Sequence, residues 1–194
     1  VQLSPDNGLP GWDRISGYFY PDTTIAGFSH THLSGTGAGD LYDISFMPVT
    51  RPYKEAPAPL GIYSTFSHND EAASAGYYRV LLQDYNINVE LTATERCGIQ
   101  RYTFPKAEAS VFLNLKKAMN WDFTLDSRIE VVDSVTIRGY RFSQGWSPLQ
   151  HVYFETRFSK PFVAYQMDTT AIATKDRGRI GTAYIARFDF NTEK

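Results

Sequence analysis

Short runs in which apolar and polar residues alternate dominate the chain. In residues 86–95, NINVELTATE, the side chains of Ile87, Val89, Leu91 and Ala93 share one face, because successive residues of a strand point to opposite sides. Runs of this kind predict strands at residues 41–49, 77–82, 86–95, 99–104, 111–115, 129–132, 135–142, 152–158, 162–167 and 182–190.

Turn-forming residues separate these runs every ~8–12 residues, which is typical of a sandwich or barrel. Residues 84–85 lie between two runs and predict a tight hairpin. Residues 1–32 and the proline-rich residues 51–59 lack strand character, and only residues 70–75, DEAASA, suggest a helical turn. The sequence therefore predicts an all-β fold, an antiparallel β-sandwich, that forms a single domain over residues 1–194.

Composition narrows the class of protein. Hydrophobic residues make up 42% of the chain and charged residues 21%, the balance of a folded globular protein. The net charge is −2 and no basic run occurs, so no nucleic-acid partner is expected. No apolar run is long enough to span a membrane. Cys97 is the only cysteine, so neither an intrachain disulfide nor a cysteine zinc site can form. Cys97 lies in an apparent strand, where a small buried thiol is expected.

The polar stretch at residues 27–40, GFSHTHLSGTGAGD, contains two of the four histidines and little that could build a core. A phosphate-binding loop needs a helix after it, whereas residues 41–49 predict a strand. His30 and His32 share one face and could begin a metal site, but the sequence fixes no third ligand. A nucleophilic serine lacks its strand-turn-helix context. A loop that offers hydroxyls, imidazoles and an acid to a sugar, and a purely structural turn, both stay open.

Three longer segments resemble one known family. They read GWDRISGYFY, DTTIAGFSHTHLSGTGAGD and FSHNDEAASAGYYRVLLQDYNINVELTATERCGIQRYTFP. Together they closely resemble the N-terminal domain of glycoside hydrolase family 92, strongly over residues 1–105 and more weakly to the end of the chain. Members of this family are exo-acting α-mannosidases, mostly from bacteria that degrade mannan and N-glycans. The resemblance implies a β-supersandwich similar to galactose mutarotase, followed in the family by a helical barrel.

The resemblance also implies that this chain is one domain of a longer enzyme. Family members invert the anomeric configuration and need calcium, and their catalytic carboxylates and most calcium ligands lie in the C-terminal helical domain. We therefore expect no catalytic or metal-binding residue in this chain, and an isolated fragment without activity. The helical domain would be its partner and mannose-containing glycans its ligands. The chain begins with Val1 rather than methionine, which suggests that a targeting segment is missing, and family habit implies export to the periplasm or cell surface.

The residues that match the family motifs are the ones expected to form the sugar-binding site. A substrate-binding role is expected for Trp12, Asp13, His30, His32, Ser34, Thr36 and Asp40. Arg14 departs from the family pattern and places a long cation near the presumed pocket, which bears on the linkage accepted. Two other hypotheses stay open, namely a stand-alone carbohydrate-binding β-sandwich and a module whose only task is to brace a partner domain.

Overall fold

Strands make up most of the computed structural model, which describes residues 1–33, 40–57, 61–116, 122–173 and 180–192. The helical elements of this described part are two short 3-10 helices, Trp12–Arg14 and His68–Asp70. The strands are β1 (Ser4–Asp6), β2 (Thr24–Ile25), β3 (Gly27–Ser29), β4 (Ser45–Thr50), β5 (Glu55–Ala56), β6 (Gly61–Ile62), β7 (Ser64–Thr65), β8 (Glu71–Ser74), β9 (Tyr77–Leu82), β10 (Ile87–Ala93), β11 (Gly98–Thr103), β12 (Ala109–Asn114), β13 (Phe123–Val131), β14 (Thr136–Gln144), β15 (Gln150–Arg157), β16 (Ala164–Ala173) and β17 (Ile180–Phe190).

A six-stranded sheet, here called the central sheet, runs through the middle of the fold. Its strand order is β1-β3-β4-β12-β17-β16, and all its pairs are antiparallel. Strand β4 is buried along its whole length. Its side chains alternate between the two faces, so Met47 and Val49 enter one core and Phe46 enters another. The central sheet is therefore covered on both sides.

The first core lies between the central sheet and a four-stranded sheet of order β11-β10-β9-β8. Its fully buried members include Phe28 and Val49 from the central sheet, and Leu82, Ile87 and Val89 from the smaller one. The alternation that predicted β10 is the pattern that fills this core, because Ile87, Val89 and Leu91 all point into it.

The second core lies on the opposite face of the central sheet, against a three-stranded sheet of order β13-β14-β15. Leu113 and Phe188 meet Ile137 there, and all three are fully buried. Strand β13 also lies against β17, where Ser127 Oγ donates to the Thr182 carbonyl (3.1 Å) and accepts from the Tyr184 amide (3.0 Å). The result is an antiparallel β-sandwich, as the sequence predicted.

Most predicted strands are present, with shifted ends, and the hairpin at residues 84–85 joins β9 to β10. Three expectations were wrong in the N-terminal region. Residues 1–32, expected to lack strands, contain β1, β2 and β3, and residues 51–59 contain the short β5. The strand expected at residues 41–49 begins only at Ser45.

Two local expectations were also wrong. Residues 70–75 do not form a helical turn, because residues 71–74 pair with β9 as strand β8. Cys97 is exposed rather than buried, because it lies in the turn between β10 and β11. No helix in the described residues is long and apolar enough to cross a membrane.

Candidate functional site

Residues 40–44, which lead from the polar stretch into β4, have an unusual backbone. Leu41, Tyr42 and Ile44 have φ angles of 80°, 67° and 57°, in the left-handed region that side chains with a Cβ rarely adopt. Each such residue costs about 1–3 kcal/mol and persists only where its surroundings enforce it. Strain of this kind is concentrated at functional sites, so the surroundings of this segment define the candidate site.

A buried ionic cluster fixes residues 40–44 to the protein interior. The Arg141 guanidinium donates to Asp43 Oδ1, to Asp122 Oδ1 (2.6 Å) and, through Nε, to Thr124 Oγ1 (3.0 Å). Thr31 Oγ1 donates to the second oxygen of Asp43 (2.7 Å). Both ion pairs are fully buried. Two carboxylates that share one guanidinium fix three distant parts of the chain in one geometry.

Asp122 links this cluster to the strained backbone. Its Oδ2 accepts from the Leu41 amide (3.2 Å) and from Gln150 Nε2 (3.3 Å). Burial raises the pKa of the Asp122 carboxyl, and the charge of Arg141 opposes that rise. The bond to Leu41 ties the first left-handed residue directly to the buried cluster.

Asp40 organises a neighbouring turn between β14 and β15. The amides of Trp146 and Ser147 donate to Oδ1 (2.7 Å) and Oδ2 (2.9 Å) of its buried carboxylate. The Gly145 amide closes the turn by donating to the Ser147 carbonyl (3.0 Å), and a Cβ at Gly145 would overlap the Asp40 carboxylate. The Trp146 side chain, in contrast, is 77% exposed.

His32 lies beneath the same region. Its Nδ1 is 2.7 Å from the Gln2 carbonyl oxygen, and its Nε2 is 2.9 Å from both Asp6 Oδ1 and Ser29 Oγ. A carbonyl and a carboxylate can only accept, so a doubly protonated ring paired with Asp6 satisfies both contacts. The edge of the His32 ring packs against Tyr42. His32 therefore supports the strained segment from within the protein.

His30 is also bonded inside the fold. Its Nδ1 donates to the Ile44 carbonyl (2.8 Å), and its Nε2 is 3.4 Å from Gln100 Nε2, which can donate to it. Burial lowers the pKa of His30, and the bond to the Ile44 carbonyl opposes this effect only in part. A neutral ring with hydrogen on Nδ1 fits these contacts.

Trp12 and Asp13 lie on the surface, on an element that is bonded to this region through Arg14. Both are exposed, on the 3-10 helix Trp12–Arg14. The Tyr42 hydroxyl donates to the Arg14 carbonyl, which connects this helix to the left-handed segment. The Arg14 guanidinium forms an ion pair with Asp22 (2.6 Å) and lies over the Phe19 ring. The cation is therefore already neutralised by a carboxylate of the same domain.

The structure thus brings His30 and His32 against residues 40–44, which begin with Asp40. Trp12 and Asp13 are connected to this segment only through the Arg14 carbonyl at the end of their helix. Ser34 and Thr36 lie outside the described residues. The sequence did not predict a role in this site for Asp122, Arg141 or Trp146, and it offered Asp43 only as a possible metal ligand. The only local signal was a tryptophan between turn-forming residues in GWS, since the ionic partners lie up to 98 residues apart.

Comparison with known proteins decides the family. The sequence model of the Glycosyl hydrolase family 92 N-terminal domain matches residues 1–194. The chain belongs to glycoside hydrolase family 92. No curated protein sequence matches it.

Solved family 92 structures share the fold. The alpha-mannosidase BT3965 from Bacteroides thetaiotaomicron, in complex with mannoimidazole, is 34% identical, with a TM-score of 0.86 over 98% of this chain. The glycosyl hydrolase ccman5 (24% identity, TM-score 0.72, 97% of this chain) and the inverting mannosidase BT2199 from Bacteroides thetaiotaomicron (21%, 0.68, 98%) share the fold. The chain spans only 27%, 26% and 25% of the length of these three proteins.

The three buried carboxylates of the candidate site are already bonded within the protein. Calcium takes six to eight oxygen ligands, often from several carboxylates. Asp43 and Asp122 are bonded to Arg141, and Asp40 is bonded to two backbone amides. Among the described residues, no group of three histidine, cysteine or acidic side chains is placed to hold a metal ion. The described carboxylates of this site, Asp40, Asp43 and Asp122, therefore do not fit a calcium ion.

Proposed function

We propose that this chain is the N-terminal domain of an exo-acting, inverting α-mannosidase that hydrolyses terminal α-mannosides of N-glycans or mannan. The observation that carries the proposal is the match to an α-mannosidase at 34% identity and a TM-score of 0.86 over nearly the whole chain. Close likeness over a full domain at this identity supports a common role for the domain, and the membership of family 92 supports glycoside hydrolysis.

The domain supplies one wall of the sugar-binding cleft. Trp12 and Asp13 are exposed on the helix that is bonded to the strained segment through Arg14, and they are proposed to contact the sugar. His30, His32 and Asp40 support that surface from below, because their polar atoms are bonded within the protein. Direct contacts from Ser34 and Thr36 stay a prediction.

The catalytic groups come from the rest of the polypeptide. Inversion needs an acid and a base about 6.5–9.5 Å apart, with room for a water between them. The buried acids of this site are bonded to Arg141 or to backbone amides, so a C-terminal helical domain is proposed to provide the acid and the base. It would also provide the ligands for calcium, which supplies positive charge to sugar hydroxyls when bound. Export to the periplasm or cell surface belongs to the same proposal.

The test is an α-mannosidase assay of the full-length protein. We expect release of mannose from one or more of the α-1,2-, α-1,3-, α-1,4- and α-1,6-linked mannobioses, loss of activity with a chelator, and recovery with calcium. Proton NMR should show β-mannose as the first product. The isolated domain should release none. An active isolated domain, or a full-length protein that only binds mannobiose, would contradict the proposal, and the second result would favour a carbohydrate-binding module.

A matched pair of variants tests whether the surface that carries Trp12 contacts the sugar. Trp12→Ala removes a side chain that is 57% exposed, and Tyr165→Ala removes one that is 53% exposed on the edge strand β16. Trp12→Ala should raise KM for mannobiose, whereas Tyr165→Ala should not change it. Equal behaviour of the two variants would show that the surface that carries Trp12 is not the sugar-binding wall.

A further inference from the structure

Trp146 is the most exposed large apolar side chain in the described part of the chain, at 77%. Large aromatic rings usually bury most of their surface, because the transfer of apolar area out of water is favourable. An isolated exposed residue can be incidental, so exposure alone indicates no role. The backbone that presents this ring supplies the second observation.

The turn that carries Trp146 is held by groups inside the protein. The buried Asp40 carboxylate accepts from the Trp146 and Ser147 amides, and the Gly145 amide bonds to the Ser147 carbonyl. Asp40 is followed at once by Leu41, whose left-handed backbone is bonded to buried Asp122. A buried charge and a strained backbone thus fix the base of a ring that is itself in solvent.

An exposed aromatic ring on a fixed backbone is well suited to bind a ligand. A rigid aromatic ring offers a large apolar face and loses little conformational entropy when a ligand covers it. Aromatic faces with few convergent polar groups suit ligands that have one apolar and one polar side. A pyranose ring has this character, because its C–H groups gather on one face while its hydroxyls point outward.

We propose that Trp146 stacks on the apolar face of a pyranose ring of the mannoside glycan, and that Asp40 is the positioning residue that holds the indole in place. This inference rests on the proposed function, because the sugar is assigned from it. It adds a contact residue on the turn between β14 and β15, far in sequence from the motifs that identified the family.

Fluorescence titration of the full-length protein with α-linked thiomannobioses, in which sulfur replaces the glycosidic oxygen and prevents hydrolysis, tests the contact without turnover. Each thiomannobiose is titrated into wild type, Trp146→Ala and Tyr153→Ala, whose side chain is 69% exposed on β15 of the same sheet. The expected result is a saturable signal in wild type, an affinity lower by about 10-fold or more in Trp146→Ala, and wild-type affinity in Tyr153→Ala. Unchanged affinity in Trp146→Ala, or an equal loss in both variants, overturns the proposal.

Steady-state kinetics then separate binding from folding. Loss of a contact made equally in the ground and transition states raises KM and leaves kcat unchanged. Trp146→Ala and Asp40→Asn should both show this split, and Trp146→Phe should recover part of the KM. A lower melting temperature with unchanged KM would mean that the indole packs against another part of the polypeptide, which overturns the proposal.

The outcomes also separate this inference from the proposed function. If wild type binds mannobiose through Trp146 but releases no mannose, the hydrolase assignment fails and the stacking contact stands. If wild type releases mannose and Trp146→Ala has the same KM, the hydrolase assignment stands and the stacking contact fails. If wild type neither binds nor hydrolyses any α-mannobiose, both are wrong.

Discussion

Replacement of Arg141 by methionine should strongly destabilise the domain. Arg141, Asp43 and Asp122 form two fully buried ion pairs, and methionine preserves much of the volume of arginine while removing its charge. Removal of one partner from a buried pair costs about 3–5 kcal/mol, because the other charge is left without compensation. Each kcal/mol lowers the melting temperature of a domain of this size by about 2–4 °C. Arg141→Met is therefore expected to lower it by about 6–20 °C.

Arg138→Met is the matched control. Arg138 lies three residues earlier in β14 and pairs with Glu130, but both partners are exposed. Exposed pairs contribute about 0–1 kcal/mol, so the control should lose less than about 4 °C. Thermal unfolding followed by near-UV circular dichroism measures both variants. Combining Arg141→Met with Asp43→Asn and Asp122→Asn should recover part of the loss. Equal losses for Arg141→Met and Arg138→Met would refute the reasoning.

Three further predictions concern single positions. His30 has a lowered pKa in the fold, so the unfolded chain takes up a proton first as pH falls below about 6.5. The stability that the neutral His30 contributes is present above that pH and is lost below it, by up to about 1.4 kcal/mol per pH unit. Denaturant titrations from pH 7 to 5 should show that the free energy of unfolding depends less on pH in His30→Asn than in wild type. Gly139→Ala should cost about 1–3 kcal/mol in urea unfolding, because a Cβ there would overlap the Arg128 carbonyl; wild-type stability would contradict this. The Arg101 guanidinium, first among several causes, lowers the pKa of Glu90 to about 2, so an NMR titration of Arg101→Met should show that pKa moving back toward 4.5, and no change would count against the pair.

Strands whose side chains fill a core could be predicted from sequence, and short strands could not. In β10, every second side chain, Ile87, Val89 and Leu91, points into the first core, so the two-residue period of a strand can be recognised in the sequence. Strand β1 has three residues and is defined by its pairing with β3, where Ser4 lies opposite Ser29. Pairing of this kind depends on backbone groups distant in sequence, which leave no local pattern.

In the candidate site, too, only residues that are close together in sequence could be predicted. The polar stretch and Trp12 could be found because their residues are adjacent in sequence. The ionic cluster could not, because Asp43 and Arg141 lie 98 residues apart and each by itself looks like an ordinary surface charge. Cys97 shows the opposite error, because an apparent strand suggested burial, whereas the turn between β10 and β11 leaves the thiol exposed.

The distance along the chain between Asp43 and Arg141 sets an order of events during protein synthesis. The ribosome produces Asp43 and the residues before β4 long before it produces β14. Chains are made from the N-terminus at about 5–20 residues per second. Arg141 is therefore synthesised about 5–20 seconds after Asp43. The left-handed residues Leu41, Tyr42 and Ile44 gain the support of this ion pair only afterwards. The surface proposed to bind sugar therefore gains this support only after β14 has been made.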